Sequence, residues 1–261
     1  MKVVLVVAGS DSSGGAGLQA DLRVIGSVGV HAATAITCIT AQTTLGVRAV
    51  WPLSPEQLVA QIEAIVADLS VAVVKVGMLG SAALAVALAQ MLTSGHGVLA
   101  GVPVVLDPVL ASSSGEGLAD EDLALVIRRY LLPRTALVTP NLDEAACLTG
   151  LPVRTPAEMS LAGRALVAAG AAAALVKGGH LSGAPIDVLV DGSEVIELPG
   201  RRIEGGPFRG TGCTLASAIA AELALGRPLR DAVGRARGRI EAALVAALPF
   251  GESARLPVFK P

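Results

Sequence analysis

The sequence predicts an α/β fold with a central, mostly parallel sheet flanked by helices and an antiparallel hairpin at one edge. Three features carry this expectation. From Val71 to Lys177, short Val-rich runs alternate with helical segments, the rhythm of parallel βαβ units joined by crossovers. Asp191-Gly192 stands between two strand-like runs, a strong hairpin signal. Hydrophobic residues make up 52% of the chain and aromatics only 2%. A large core must therefore be built from Ala, Val and Leu, which suits buried strands packed under aliphatic helices.

The elements follow in order. Val3 to Ala8 is a continuous apolar run that reads as a central strand, and Ser10 to Gly15 reads as loop. Gly17 to Val28 has helical spacing through Leu18, Leu22 and Ile25. Ala33 to Thr40 and Val47 to Trp51 read as strands. Ser54 caps a helix with Pro55 at its first position, running to about Asp68. Strands are expected at Val71–Val76, Val104–Leu106, Ala136–Thr139 and Ala173–Lys177. Helices are expected at Ser81–Met91, Asp120–Leu132, Leu142–Leu148 and Glu158–Ala169. The rhythm breaks at the hairpin, Ile186 to Leu198, and two helices follow, Thr211–Leu225 and Leu229–Leu248. No repeat or low-complexity linker interrupts the chain, so residues 1–261 read as one domain.

Composition excludes several functions. The net charge of −2 gives no nucleic-acid footprint. The one basic run, Arg227 to Arg239, reads as the solvated face of a helix. Cys38, Cys147 and Cys213 are odd in number and widely spaced, so neither a disulfide framework nor a zinc site is indicated and a cytoplasmic setting is expected. His31, His96 and His180 form no metal motif. The start Met1 to Gly9 resembles a signal peptide only faintly, and no apolar run is long enough to span a bilayer. Gly15-Ala16-Gly17-Leu18-Gln19-Ala20 fits a loose dinucleotide fingerprint. It sits several residues past the strand, and the second strand lacks an acidic residue for a ribose. No Walker A sequence is present.

Ligands of open parallel sheets bind beyond the carboxyl ends of the strands. Several polar or glycine-rich segments fall there: Gly9-Ser10-Asp11, Gly77-Met78, Asp107-Pro108, Pro140-Asn141 and Lys177-Gly178-Gly179-His180. Gly210-Thr211-Gly212-Cys213 joins them at a helix start. Its glycines let the backbone approach a ligand, and the helix adds its positive end, which together make an anion site; a helix cap over a small buried cysteine fits the tetrapeptide equally well. A cysteine there is expected to have a lowered pKa and to serve as base or nucleophile. Lys177 is one of only four lysines, and at a strand end beside two glycines it suits nucleotide phosphates, although an edge lysine with a turn behind it fits as well. Asn141 and Glu144 share a helix face. They suit a hydrated Mg²⁺, although by themselves they read as a capping box. Asp107 suits a metal or water network, or an Asx turn.

At this point the pieces resemble a family. Ala8-Gly9-Ser10-Asp11-Ser12-Ser13-Gly14-Gly15-Ala16-Gly17-Leu18-Gln19-Ala20-Asp21-Leu22 is similar to the start of the hydroxymethylpyrimidine/phosphomethylpyrimidine kinases of thiamine biosynthesis. So are Thr40-Ala41-Gln42, Val76-Gly77-Met78-Leu79, Val105-Leu106-Asp107-Pro108-Val109, Thr139-Pro140-Asn141 with Glu144-Ala145, Val176-Lys177-Gly178-Gly179-His180 and Gly210-Thr211-Gly212-Cys213-Thr214. These run in the family's order and cover nearly the whole chain.

The resemblance implies a ribokinase-like fold, a homodimer, and the use of ATP and Mg²⁺. It implies two phosphorylations in turn, first of the hydroxymethyl group of 4-amino-5-hydroxymethyl-2-methylpyrimidine and then of the monophosphate. Gly9, Asp21, Gln42, Met78 and Val105 would bind the pyrimidine, with Gln42 reading the ring's nitrogen edge. Asp107, Asn141, Glu144, Lys177, Thr211 and Gly212 would serve ATP. Asp107, Asn141 and Glu144 would hold Mg²⁺ through water. Gly210, Thr211, Gly212 and Cys213 would form the transfer site, with Cys213 in the place of the general base.

Two departures stand out. Ser112-Ser113-Ser114-Gly115 replaces the family's Ala-Lys-Ser-Gly, and Phe208-Arg209 replaces its Thr-His. A pyridoxal or pyridoxine kinase of the same fold is the runner-up, because that vitamer also presents a ring hydroxymethyl group. Cys213 and Gln42 favour the pyrimidine. A catalytically silent binding protein is the third reading, opposed by the intact Lys177, Asn141, Glu144 and Cys213.

Overall fold

The computed structural model describes residues 1–93, 95, 97–110, 122–252 and 254–260. Nine strands form one sheet: β1 (Val3–Asp11), β2 (His31–Gln42), β3 (Val47–Pro52), β4 (Val71–Val76), β5 (Val104–Leu106), β6 (Leu137–Val138), β7 (Ala173–Val176), β8 (Ile186–Asp191) and β9 (Glu194–Pro199). Their order across the sheet is β3-β2-β1-β4-β5-β6-β7-β8-β9. From β2 to β7 every neighbouring pair is parallel.

Alternation along β1 shows why the sheet needs cover on both sides. Successive side chains of a strand point to opposite faces. Val3, Leu5 and Val7 enter one core, with Leu58 and Ile62 of α2 (Pro55–Val66) and Leu84 and Leu88 of α3 (Ala82–Met91). Val4, Val6 and Ala8 enter the other, with Val24 and Ile25 of α1 (Gly17–Ser27), Ile219 of α7 (Thr211–Ala224) and Val233 of α8 (Leu229–Val245). A third cluster packs α5 (Leu142–Thr149) and α6 (Pro156–Ala168) on Val176, Val188 and Val190. Ser54 and Pro55 start α2 as expected, with Ser54 and Gln57 in a reciprocal capping box.

Five expectations are corrected. The hairpin β8–β9 is antiparallel as read, but the opposite edge is antiparallel too: β3 pairs back on β2 through a tight turn closed by Thr43 N–H on Gly46 O at 3.0 Å. A connection that short cannot return a parallel strand. β1 runs on to Asp11 where loop was expected from Ser10. The helix expected at Asp120–Leu132 is α4 (Leu123–Val126), continued as a π turn over Ile127–Leu131 and a 3₁₀ turn over Leu132–Arg134. Its first two positions lie outside the described residues. Pro133, which lacks an N–H, marks where regular helix cannot continue. α8 stops at Val245, and a hairpin of β10 (Leu248–Phe250) and β11 (Ala254–Leu256) follows where helix or no element was expected. Finally, the basic run on α8 is only partly solvated. Arg237 bonds Asp187 at 2.8 Å and the carbonyls of Leu198 and Pro199, and Arg230 bonds Asp191 and Glu194. These contacts tie α8 to the β8–β9 hairpin. Among the described residues no helix is long and apolar enough to cross a membrane.

Candidate active site

Just past the parallel strands, the backbone ladder continues by one residue. Gly77 N–H donates to Val7 O, Asp107 N–H to Val76 O, Thr139 N–H to Leu106 O, and Lys177 N–H to Pro140 O, all at 2.8–2.9 Å. The chemistry-bearing residues therefore stand in a row along the sheet's carboxyl edge.

One end of this row is a small cavity. Gly9, Gln42, Met78 and Cys213 line it, together with Ser10, Asp11, Thr40 and Lys75. A side chain at position 9 would stand 2.6 Å from Cys38 Sγ and 3.6 Å from Met78 Sδ, so only glycine leaves the cavity open. The loop beside it is wound around Asp11, whose carboxylate accepts from Ser13 N–H, Ser13 Oγ–H and Ala16 N–H at 2.8 Å. Asp21 and Val105, expected to bind substrate, do not line this cavity. Val105 is fully buried in the core under α7. Asp21 is buried against Lys75, 2.8 Å away, and its other oxygen accepts from Ser217 Oγ at 2.7 Å. Neither side chain has a face left for a ligand.

The other end is a charged cluster. Lys177 Nζ lies 2.7 Å from Asp107 Oδ1, and Thr139 Oγ reaches the same oxygen at 3.4 Å. Glu144 is buried nearby. Burial pushes its carboxyl up to about 7; Lys177 pulls the other way, and Asp107 adds to the rise. Burial opposes the Lys177 ammonium, but Asp107 and Glu144 outweigh it and hold the charge firmly. Asn141 and Glu144 form the capping box: Asn141 Oδ1 accepts from Glu144 N–H, and Glu144 Oε2 accepts from Asn141 N–H, both at 2.8 Å. Asn141 thus caps α5, the capping-box arrangement that its spacing from Glu144 also suggested. Among the described residues no cluster of three or more His, Cys, Asp or Glu is placed to hold a metal directly. Asp107 and Glu144 are two buried carboxylates, and Asp107 adds to the cost of ionising Glu144, which fits a cation held through its water shell.

Between the two ends lies the start of α7. Gly210 is its N-cap with φ of +69° and no side-chain cap. A side chain there would sit 2.4 Å from Gly15 O, so the Gly210 backbone packs directly on the loop wound around Asp11. The first-turn N–H groups of a helix have no intrahelical acceptor, and no side chain caps them here. Lys177 Nζ lies 3.1 Å from where a side chain on Gly212 would begin, which brings the lysine onto the first turn of α7.

Cys213 contradicts one expectation. Burial pushes its thiol up to about 12. Lys75 is the strongest opposing influence; Asp107 and Asp21 raise the value further, and Lys177 lowers it. The helix start alone suggested a lowered value. Burial reverses it, and two carboxylates brought in from distant parts of the chain add to the rise, which favours the protonated thiol.

Lys75 escaped the sequence reading. Its signal was present, a lone lysine inside the apolar run Val71-Ala72-Val73-Val74-Lys75-Val76. A charge at such a position must be paired. Arg209, one of the two departures before Gly210, is buried with its Nε unpartnered among the described residues. Ser112 to Gly115 and His96 lie outside the described residues. His31 and His180 are exposed. A roomier surface depression between α8 and residues 258–260 contains none of the converging residues.

Comparison with known proteins identifies the family. Residues 11–258 match the family model described as phosphomethylpyrimidine kinase. The chain is 42% identical over 249 residues to the hydroxymethylpyrimidine/phosphomethylpyrimidine kinase of Streptomyces coelicolor, covering 95% of this chain and 91% of that protein. Among solved structures it is similar to a phosphomethylpyrimidine kinase from Clostridium difficile, with TM-score 0.81 and 35% identity over 94% of this chain and 100% of that one. It is also similar to an ADP complex of Bacillus subtilis pyridoxal kinase, with TM-score 0.89 and 31% identity over 99% of this chain and 97% of that one.

Proposed function

The chain belongs to the phosphomethylpyrimidine kinase family, and from that premise we propose that it is an ATP-dependent kinase of thiamine biosynthesis. It phosphorylates 4-amino-5-hydroxymethyl-2-methylpyrimidine and then the monophosphate. The observation that carries this reading is the meeting of the Gly9–Met78 cavity, the α7 anion turn and the Lys177–Asp107 pair within one continuous row. Pyridoxal kinases share the fold closely, so fold alone does not separate the two activities. The higher identity to the pyrimidine kinases, with Gln42 and Cys213 in the cavity, favours the pyrimidine.

The pyrimidine lies in the cavity against Gly9, Met78 and Gln42, whose amide reads the ring nitrogens. Lys177 and the free N–H groups from Gly210 to Cys213 hold the nucleotide's terminal phosphates. The hydroxymethyl oxygen forms a bond to the γ-phosphorus, the bond to the bridging oxygen breaks, and ADP leaves with that electron pair. The hydroxyl proton passes to Cys213 in its thiolate form, which Lys75 and Lys177 favour, as the phosphoryl group transfers. A weak base suffices because the transition state is loose. Asp107 and Glu144 would hold Mg²⁺ through its water shell, and the ion would supply charge neutralisation at the phosphates.

The reading assigns residues 1–261 to one kinase domain, acting as a homodimer in the cytoplasm. Three free cysteines suit a reducing compartment. Ile39 and Trp51, direct partners across β2 and β3, are exposed together with Leu45 at that sheet edge, and such a patch favours a second subunit as its cover. The test of the activity is kcat/KM with Mg-ATP for the pyrimidine, its monophosphate and pyridoxal. The two pyrimidines should be preferred. Turnover of pyridoxal alone would contradict the reading, and binding without turnover of any acceptor would make the chain a silent binder.

A further inference from the structure

We infer that Lys75, tied through Asp21 to Ser217 on the helix that carries Cys213, is a positioning residue that holds a fixed positive charge against the Cys213 thiol. The inference rests on the reading of Cys213 as the proton acceptor and adds to it the group that most favours its thiolate.

Lys75 and Asp21 are both fully buried, and Nζ lies 2.8 Å from Asp21 Oδ2. Asp21 stands on α1, Lys75 on β4 and Ser217 on α7, so one ion pair and one hydrogen bond join three elements. Ser217 follows Cys213 by four residues on α7, which puts both on one helix face. The face that Asp21 grips is therefore the face that presents the thiol. Lys75 also lines the same cavity as Cys213. Gly77 leaves room for it, since a side chain at 77 would begin 2.8 Å from Nζ. A buried ion pair adds little stability over an apolar pair of like shape, so stability alone does not account for placing a lysine under this cavity.

The charges around Cys213 give the arrangement its meaning. Lys75 faces it from β4, Asp107 from the end of β5, Asp21 from α1 and Lys177 from the end of β7. Lys75 is the largest influence favouring the thiolate, against burial and two carboxylates. Asp21 and Asp107 in turn keep Lys75 charged in spite of its burial.

The test is the rate of Cys213 alkylation by iodoacetamide against pH, read peptide by peptide by mass spectrometry on the full chain without ATP, Mg²⁺ or acceptor. Below the thiol's pKa this rate follows the thiolate fraction, so raising that pKa by one slows it about tenfold. Lys75→Met should slow Cys213 at least tenfold at fixed pH, with exposed Cys147 as the internal control. Lys75→Met leaves Asp21 buried without its partner, so Lys75→Met/Asp21→Asn is the companion variant, and it too should slow Cys213. Wild-type reactivity of Cys213 in either variant, folded by circular dichroism, would overturn the inference. A purely structural Lys75 would not move this profile. The assay needs no turnover, whereas full activity of Cys213→Ser would instead remove the base role, so the two failures are distinguishable.

Discussion

Lys177 and Asp107, 70 residues apart in sequence, meet at 2.7 Å across the end of β6, whose strand lies between theirs. Pairing across a strand this way needs both side chains to lean along the sheet's carboxyl edge. That edge is where the nucleotide's phosphates are proposed to lie. The pair is largely buried, with Asp107 only 2% exposed, so each group depends on the other. Lys177→Ala should lower kcat/KM about a hundredfold or more. It should also cost about 3 kcal/mol of stability, because Asp107 is left buried without its cation. Steady-state kinetics and denaturant unfolding check the two parts, and full activity in this variant would contradict the nucleotide site.

Glu144 makes the ligand-free protein sensitive to pH. Its folded value, about 7, lies above its ordinary value of 4.5, so the folded state holds this proton more tightly than the unfolded chain. Its contribution to stability is full below pH 4.5 and is lost as pH rises through about 7. The loss amounts to a few kcal/mol at most, on the order of 1.4 for each tenfold difference in proton affinity between the two states. Glu144→Gln should flatten the slope of unfolding free energy between these pH values. Saturating Mg-ATP should flatten it as well if the cation is held there.

Gly210→Ala meets two obstacles, a φ of +69° and a contact of 2.4 Å to Gly15 O. The left-handed conformation costs about 1–2 kcal/mol for a side-chain-bearing residue, and the overlap must push the α7 start off the loop. Activity should fall more than stability, as seen by comparing kcat with the midpoint of thermal unfolding. Gly9→Ala instead meets Cys38 Sγ at 2.6 Å, and its main effect should be a raised KM for the acceptor.

Trp51 is the sole tryptophan and is 56% exposed on β3, paired with the half-exposed Ile39. Trp51→Glu should shift the chain from dimer to monomer in light scattering. Secondary structure should be preserved, because the residue packs into no core.

Much of this fold was legible because burial on two faces leaves Val-rich runs that local periodicity can detect. The row of strand ends followed from that rhythm alone. What escaped depends on contacts between distant segments. β3 turns back because of the four residues from Thr43 to Gly46, and nothing in its own sequence states direction. β10 and β11 hold their place through Phe208 pairing with Arg255 and through Arg209 N–H donating to Arg255 O. Asp21 matched a family motif and was read as a ligand contact, whereas burial beside Lys75 gives it a different task. The helix start of Cys213 suggests a lowered thiol pKa, but burial raises it, with Asp107 and Asp21 adding to the rise, and only the folded chain buries the thiol beside them.

The most direct measurement is phosphorus NMR of the purified chain with Mg-ATP and 4-amino-5-hydroxymethyl-2-methylpyrimidine. A monophosphate ester should appear first and decline as the diphosphate ester forms, with ADP released at both steps and both slowed in Lys177→Ala. No ester formed from the pyrimidine, with pyridoxal phosphorylated under the same conditions, would contradict the account.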